Sequence, residues 1–213
     1  LVAQASTLFE HDWAFARGTP PPRMPATPAA LLSPAAASAQ LVASGPDQVD
    51  DTVYSLLVTA AFRAERRIVL VTPYFVPDSG LLQALCLAAR RGVVVELLLP
   101  AKSNHPMSDV ARHRALRALA DAGGYIKLAP HMLHAKLAVI DYVLALAGSA
   151  NFDSRSLFLN YELMFAFHDS ATVGRFADWF EDEQQGASTY VATRPGVLRD
   201  MAEGAVLWLG FEL

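Results

Sequence analysis

His134-Ala135-Lys136-Leu137-Ala138-Val139-Ile140-Asp141-Tyr142-Val143-Leu144-Ala145-Leu146-Ala147-Gly148-Ser149-Ala150-Asn151 is the stretch on which the fold turns. Its apolar run is interrupted at Asp141-Tyr142, so it reads as two neighbouring strands, Leu133 to Ile140 and Val143 to Ala147, joined by a short turn. In extended backbone, residues two apart share a face. His134 and Lys136 therefore point the same way, and Ser149 and Asn151 repeat that geometry on the next strand. An imidazole, an ammonium, a hydroxyl and an amide converge.

Upstream, the pattern alternates between helix and strand. Asp50 or Asp51 can cap a helix running to about Ala64, and the Arg66-Arg67 turn leads into a strand at Ile68 to Thr72. Pro77-Asp78-Ser79 starts a helix through Leu81, Leu82, Leu85 and Ala89 that ends near Gly92, and Val93 to Leu99 reads as a buried strand. A helix from Ser108 to Ala122, stopped by Gly123-Gly124, precedes a short strand at Tyr125 to Leu128. Downstream, a loop from Asn151 to Asn160 leads to a strand at Leu163 to Phe167, and helices at about Ala171 to Glu183 and Pro195 to Leu207 close the chain. The fold class implied is α/β: a mixed, largely parallel β-sheet flanked by helices on both faces.

The N-terminal end is different. Residues 1–18 place Leu1, Leu8 and Trp13 at roughly helical intervals before Gly18, and read as a short helix, the tail of a preceding domain. Residues 19–39, with Pro20-Pro21-Pro22, Pro25, Pro28 and Pro34 among alanines and serines, read as a linker. The catalytic domain is then expected over 40–213.

Bulk properties narrow the field. A chain of 213 residues, 53% hydrophobic, can bury a substantial core. A net charge of -4 argues against a protein that coats nucleic acid with a broad basic surface, so no nucleic-acid partner is expected. Cys86 is the only cysteine and sits in an apolar run, which excludes an intrachain disulfide and a cysteine zinc site. No stretch reaches the roughly 18 to 20 apolar residues needed to span a bilayer.

The order His-x-Lys, four residues, Asp, six residues, Gly-Ser-x-Asn resembles the signature of the phospholipase D superfamily, and both intervals fit. Thr72-Pro73-Tyr74-Phe75-Val76-Pro77-Asp78, Gly92 to Pro100, Met132 to Lys136 and Gly148 to Leu157 further resemble the C-terminal half of bacterial cardiolipin synthases of the phospholipase D type. Tyr142 departs from that pattern, standing where a small or acidic turn residue is usual. The resemblance implies transfer of a phosphatidyl group from one phosphatidylglycerol to another with release of glycerol, in a bacterial parent protein associated with the cytoplasmic membrane surface. It also implies a second His-x-Lys. None of His11, His105, His113, His131 or His168 has lysine two positions later, so the second set is expected from a missing N-terminal half or from a second copy in a homodimer.

Phosphodiesters resist attack because their anionic oxygens repel nucleophiles, so a catalyst must neutralise that charge. Lys136, Asn151 and Ser149 are suited to hold the non-bridging oxygens, and His134 can attack phosphorus to give a phosphohistidine. Glu162 is the candidate carboxylate that orients the imidazole. Asp141, on the opposite strand face, is assigned a structural hydrogen-bonding role within the signature. No metal or other cofactor is expected, since lysine and amide donors supply the charge stabilisation. Arg155 and His105 are candidate substrate contacts, whereas Tyr74 and Phe75, ending a buried strand, are expected in the core. Two other outcomes stay open: hydrolysis with water, as a phospholipase D, phosphodiesterase or nuclease, and a non-catalytic half that only docks with a complementary domain.

Overall fold

A computed structural model describes residues 1–20, 39–46 and 51–209. In chain order the elements are α1 (Val2–Ala16), β1 (Ala39–Ser44), α2 (Thr52–Arg63), β2 (Arg67–Val71), β3 (Phe75–Val76), α3 (Ser79–Arg90), β4 (Val94–Pro100), α4 (Pro106–Asp121) and β5 (Tyr125–Ala129). They continue as β6 (Leu137–Ile140), β7 (Leu144–Gly148), β8 (Phe152–Asp153), α5 (Ser154–Phe158), β9 (Glu162–Phe167), α6 (Ser170–Glu183), β10 (Ser188–Thr189) and α7 (Val197–Leu209). Most of the expected linker and Asp50 lie outside the described residues. Asp51 precedes α2 but its side chain makes no capping bond there, which removes it as a side-chain cap.

Eight strands form one sheet in the order β1-β9-β7-β6-β2-β4-β5-β10. Side chains of β2 alternate between its faces: Ile68 and Leu70 pack with α2, α3 and α4, while Val69 and Val71 pack with Val173 and Phe180 of α6. Helices thus cover both faces, as expected. Each leucine taken fully from water on these faces contributes about 1.5–3 kcal/mol.

The expectation of a largely parallel sheet needs correction. Within the eight-stranded sheet only β2–β4 and β4–β5 pair in parallel; its other five pairings are antiparallel. The two parallel pairings are those bridged by the helical crossovers α3 and α4. Past β5 the strand-to-strand links include a three-residue hairpin connection between β6 and β7, which can only reverse direction.

Side chains fix where the helices start. The Asp78 carboxylate accepts the N–H groups of Gly80 and Leu81 at the head of α3, and Asp169 accepts that of Thr172 in α6. The loop expected from Asn151 to Asn160 contains β8 and α5. β8 pairs in parallel with β3, setting Phe75 opposite Phe152, and both rings are fully buried. That small second sheet ties the segment after β2 to the segment after β7. α1 lies within the helix expected at 1–18 and has no buried residue.

Candidate active site

The carboxyl ends of β2, β4 and β7 and the approach to β6 meet at one margin of the sheet, the place where parallel α/β sheets bind ligands. His134 and Lys136 sit just before β6, not within it, and Ser149 and Asn151 lie just past β7. The β6–β7 ladder continues as far as Lys136, whose carbonyl accepts Gly148 N–H at 3.2 Å.

Lys136 is buried, with its ammonium 2.8 Å from His134 Nδ1 and 2.9 Å from the His134 carbonyl. Desolvation, then the charge of Lys136, hold the His134 imidazole below the ordinary histidine range. It is therefore a free base at neutral pH, the form in which a ring nitrogen has a lone pair to offer. Burial also lowers Lys136, while the negative charges of Glu162 and Asp153 act to keep it protonated.

Glu162 takes a different place from the one expected. Its Oε2 accepts the Ser149 hydroxyl at 2.5 Å and its Oε1 accepts Asn160 Nδ2 at 3.4 Å. Ser149 Oγ in turn accepts Leu163 N–H at 2.9 Å. The bonds of Glu162 run to Ser149 and Asn160, not to the imidazole, and the Ser149 proton is engaged by a carboxylate. The reason is register: Gly148 faces Met164 across β7–β9, which sets Ser149 against the first residues of β9. Gly148 permits that closeness, because a Cβ there would overlap the Leu163 carbonyl oxygen and lie 2.7 Å from Met164 Cα.

Asn151 donates through Nδ2 to Ser156 Oγ at 3.1 Å, leaving its buried Oδ1 without a partner among the described residues. Ser156, 1% exposed, also donates its backbone N–H to Asp153 Oδ1 at 2.7 Å. Asp141 lies at the opposite end of β6, in the turn to β7. Its carboxylate accepts the N–H groups of Glu65, Arg66 and Arg67, each at 2.8 Å. Burial, the largest influence, pushes Asp141 up, but those three donors and the charge of Arg66 outweigh it and leave it below the ordinary range. Asp141 and Tyr142 both have positive φ, 51° and 58°, as the central residues of a tight turn closed by the Val143 N–H bond to the Ile140 carbonyl at 2.9 Å. Tyr142 holds that conformation with its hydroxyl 2.5 Å from Arg67 Nη1, whose guanidinium also lies over the tyrosine ring.

A cavity of about 520 Å³ is lined by Asn151, His105 and Arg155 among the expected residues, whereas His134, Lys136, Ser149, Glu162 and Asp141 do not line it. Tyr74, expected in the core, also lines it, while Phe75 is core. The Tyr74 ring stands edge-on to both His105 and His134, with centroids 5.8 and 6.4 Å apart, and its hydroxyl donates to Asn104. Asp153, Ser156 and Asn160 also line it. Sequence reasoning assigned those three no role in the site. The signal available was their spacing behind Asn151, which becomes meaningful only once β8 and α5 are formed. Among the described residues, no three His, Cys, Asp or Glu side chains gather closely enough to hold a metal ion.

The cardiolipin synthase, phospholipase D-like domain family matches residues 57–183. The chain belongs to that family. Among its relatives, cardiolipin synthase A of Escherichia coli is 35% identical over 167 residues, 76% of this chain and 34% of that protein. The chain therefore spans about a third of the length of the curated relatives it matches. Two solved structures share the fold. The phospholipase D family member Nuc from Salmonella typhimurium has a TM-score of 0.62 at 21% identity, covering 72% of this chain and 97% of that one. Phosphatidylserine synthase from Haemophilus influenzae has a TM-score of 0.63 at 14% identity, covering 82% and 44%. The structural elements that carry His134, Lys136 and Asn151 are thus those of a phospholipase D-like domain.

Proposed function

We propose that this phospholipase D-like domain is the C-terminal half of a phosphatidyltransferase that makes cardiolipin from phosphatidylglycerol at a bacterial membrane surface. The observation that carries the reading is the contact between the His134 imidazole and the buried Lys136 ammonium at the sheet margin, with Tyr74 standing between His134 and a cavity large enough for a phosphodiester headgroup. A ring nitrogen of His134 attacks phosphorus; the bond from phosphorus to the glycerol oxygen breaks, and the departing alkoxide takes a proton from a second histidine. That histidine then removes the proton of an incoming phosphatidylglycerol hydroxyl, whose oxygen displaces His134 from phosphorus. Lys136 and Asn151 offset the charge on the non-bridging oxygens.

The second histidine comes from an N-terminal half of the same polypeptide, of which residues 1–18 are the tail and 19–39 the connector, or from a second copy of the chain. Residues 40–213 form the catalytic half. The span of about a third of the relatives' length supports the first source. Glu162 acts through Ser149 and Asn160 by fixing the β7–β9 end of the site, and Asp141 acts as a structural member of the signature.

The test uses the complete parent protein with labelled phosphatidylglycerol. Cardiolipin and glycerol are the expected products, with acid-labile label trapped on the protein and both lost by at least about 10³-fold in His134→Ala. Phosphatidic acid or cleaved nucleic acid as the sole product would replace transfer by hydrolysis, and a His134→Ala protein with native activity would end the assignment.

A further inference from the structure

α7 has its polarity reversed for a helix lying on a water-exposed surface. Its one buried charge is turned inward: Glu203 is fully buried, 2.6 Å from an Arg117 nitrogen of α4 and 3.0 Å from Arg199 Nε, while half-exposed Asp200 meets Arg114 at 3.1 Å. Its apolar side faces out, with Val197, Leu198 and Met201 exposed by 77%, 85% and 66%. A surface helix ordinarily buries its apolar stripe and leaves its charges in water.

The reversal has a location. Leu207 of the same helix lines the cavity, as do Ser108 and Ala111 of α4. One residue before each of those two, Met107 and Val110 are exposed and share a face of α4 by their spacing of three. The cavity is therefore bordered on this side by apolar surface turned toward solvent. Arg194, just ahead of α7, is exposed, and the Arg199 side chain is 54% exposed.

We propose that the outer face of α7, extended by Met107 and Val110, docks on an anionic phospholipid bilayer and seats the cavity mouth there. This rests on the phosphatidyl-transfer reading, which supplies the argument for lipid over a protein partner. Drawing an acyl chain into water costs about 0.8 kcal/mol per CH2 group, so a diacyl substrate stays in its bilayer and the cavity must come to it. The surface beside the mouth then meets the boundary between headgroups and acyl chains. Apolar residues flanked by arginines suit that boundary, the arginines pairing with lipid phosphates. α7 has 13 residues, about 20 Å of helix, and no helix among the described residues is long and apolar enough to cross a membrane, so α7 lies along the surface.

Flotation of the 213-residue chain with vesicles tests this without any turnover. The chain is expected to float with vesicles of phosphatidylglycerol and phosphatidylcholine, and less with phosphatidylcholine alone. The double substitution Leu198→Glu/Met201→Glu should lower partitioning by at least about tenfold with an unchanged circular dichroism spectrum, whereas Phe62→Glu, exposed on α2, should leave it unchanged. Equal flotation of the double variant and the native chain overturns the proposal. So does a native chain that ignores vesicles, and if it sediments as a dimer that the double variant splits, the face belongs to a second copy. His134→Ala separates the two readings: it should float like the native chain, so activity retained by that variant removes the transferase and leaves docking untouched.

Discussion

Burial holds the Asp153 carboxyl above the ordinary aspartate range; the Ser156 and Arg155 N–H groups and the Ser156 hydroxyl pull it down, while the charge of Glu162 adds to the rise. A raised carboxyl binds its proton more tightly in the folded chain than in the unfolded one, so ionising it opposes folding. That penalty is complete above the folded value and fades as pH falls through it toward the unfolded value of about 3.9. Asp153→Asn retains a side-chain oxygen for the Ser156 N–H at the head of α5 and removes the charge. The variant is expected to melt at a higher temperature than the native chain at pH 7 and to lose that advantage near pH 4. Melting curves across that range check it, and a lower melting temperature at pH 7 would refute the account. A stability cost of this kind fits a position beside Lys136 in the cavity wall. The candidate site was legible in part: the spacing of His134 and Lys136 becomes a direct contact between them, and Asn151 follows the end of β7 that pairs beside Lys136. Asp153, Ser156 and Tyr74 were not, because their meeting depends on β3 pairing with β8, two-residue strands too short to leave a periodic pattern. The bonds of Glu162 to Ser149 and Asn160 could not be read from the sequence, since the register that brings Glu162 to Ser149 is a property of β7 and β9 together.

The elements read from apolar periodicity, β2, β4, β5, β6, β7, β9 and the helices α2 to α4, α6 and α7, all exist within a few residues of their expected bounds. Strand direction was less legible. Alternation of helix and strand predicts parallel neighbours, yet β2 pairs on its other side with β6, which arrives from the opposite end, and nothing in either strand's composition marks that pairing. β1 escaped notice because Ala39–Ser44 is short and partly polar; it becomes a strand by pairing along its full length with β9. The contact of β7 with β9 is the tightest test of this arrangement. Gly148→Ala places a methyl against the Leu163 carbonyl and Met164, so the strands must separate. The expected cost is about 1–3 kcal/mol, read as a lower urea midpoint, because backbone rather than a pliable side chain has to yield. The same shift should weaken the bonds from Ser149 to Glu162 and Leu163, so labelled-phosphate trapping on His134 should fall in the parent protein. An unchanged urea midpoint would mean that β7 and β9 are more loosely joined than described.

Two carboxylates hold distant parts of the molecule together, and both act in one direction with pH. Asp141 fastens the β6–β7 hairpin to the three N–H groups that lead into β2, joining the antiparallel half of the sheet to the parallel half. Glu203 fastens α7 to α4, and its hydrogen bond from Arg117, ahead of the opposing effect of burial, holds it below the ordinary glutamate range. A carboxylate depressed by folding contributes stability that is present above its unfolded value, about 4, and is lost as pH falls through its folded value. The chain is therefore expected to lose stability progressively in acid below about pH 4.5, and substitutions at these two positions should divide the loss. Asp141→Asn tolerates the left-handed backbone of the turn but gives up the charge that draws the three donors together. It should lower the denaturation midpoint of the whole domain at neutral pH by an amount that vanishes in strong acid. Glu203→Gln should act locally instead, since it leaves Arg117 and Arg199 facing a neutral group under α7 while the sheet keeps every bond. Hydrogen exchange is expected to rise in α7 and in the facing turns of α4, with the strands protected as before. Matching exchange in native and Glu203→Gln chains would show that α7 is held by its packing alone and that the buried charge contributes nothing to its seat.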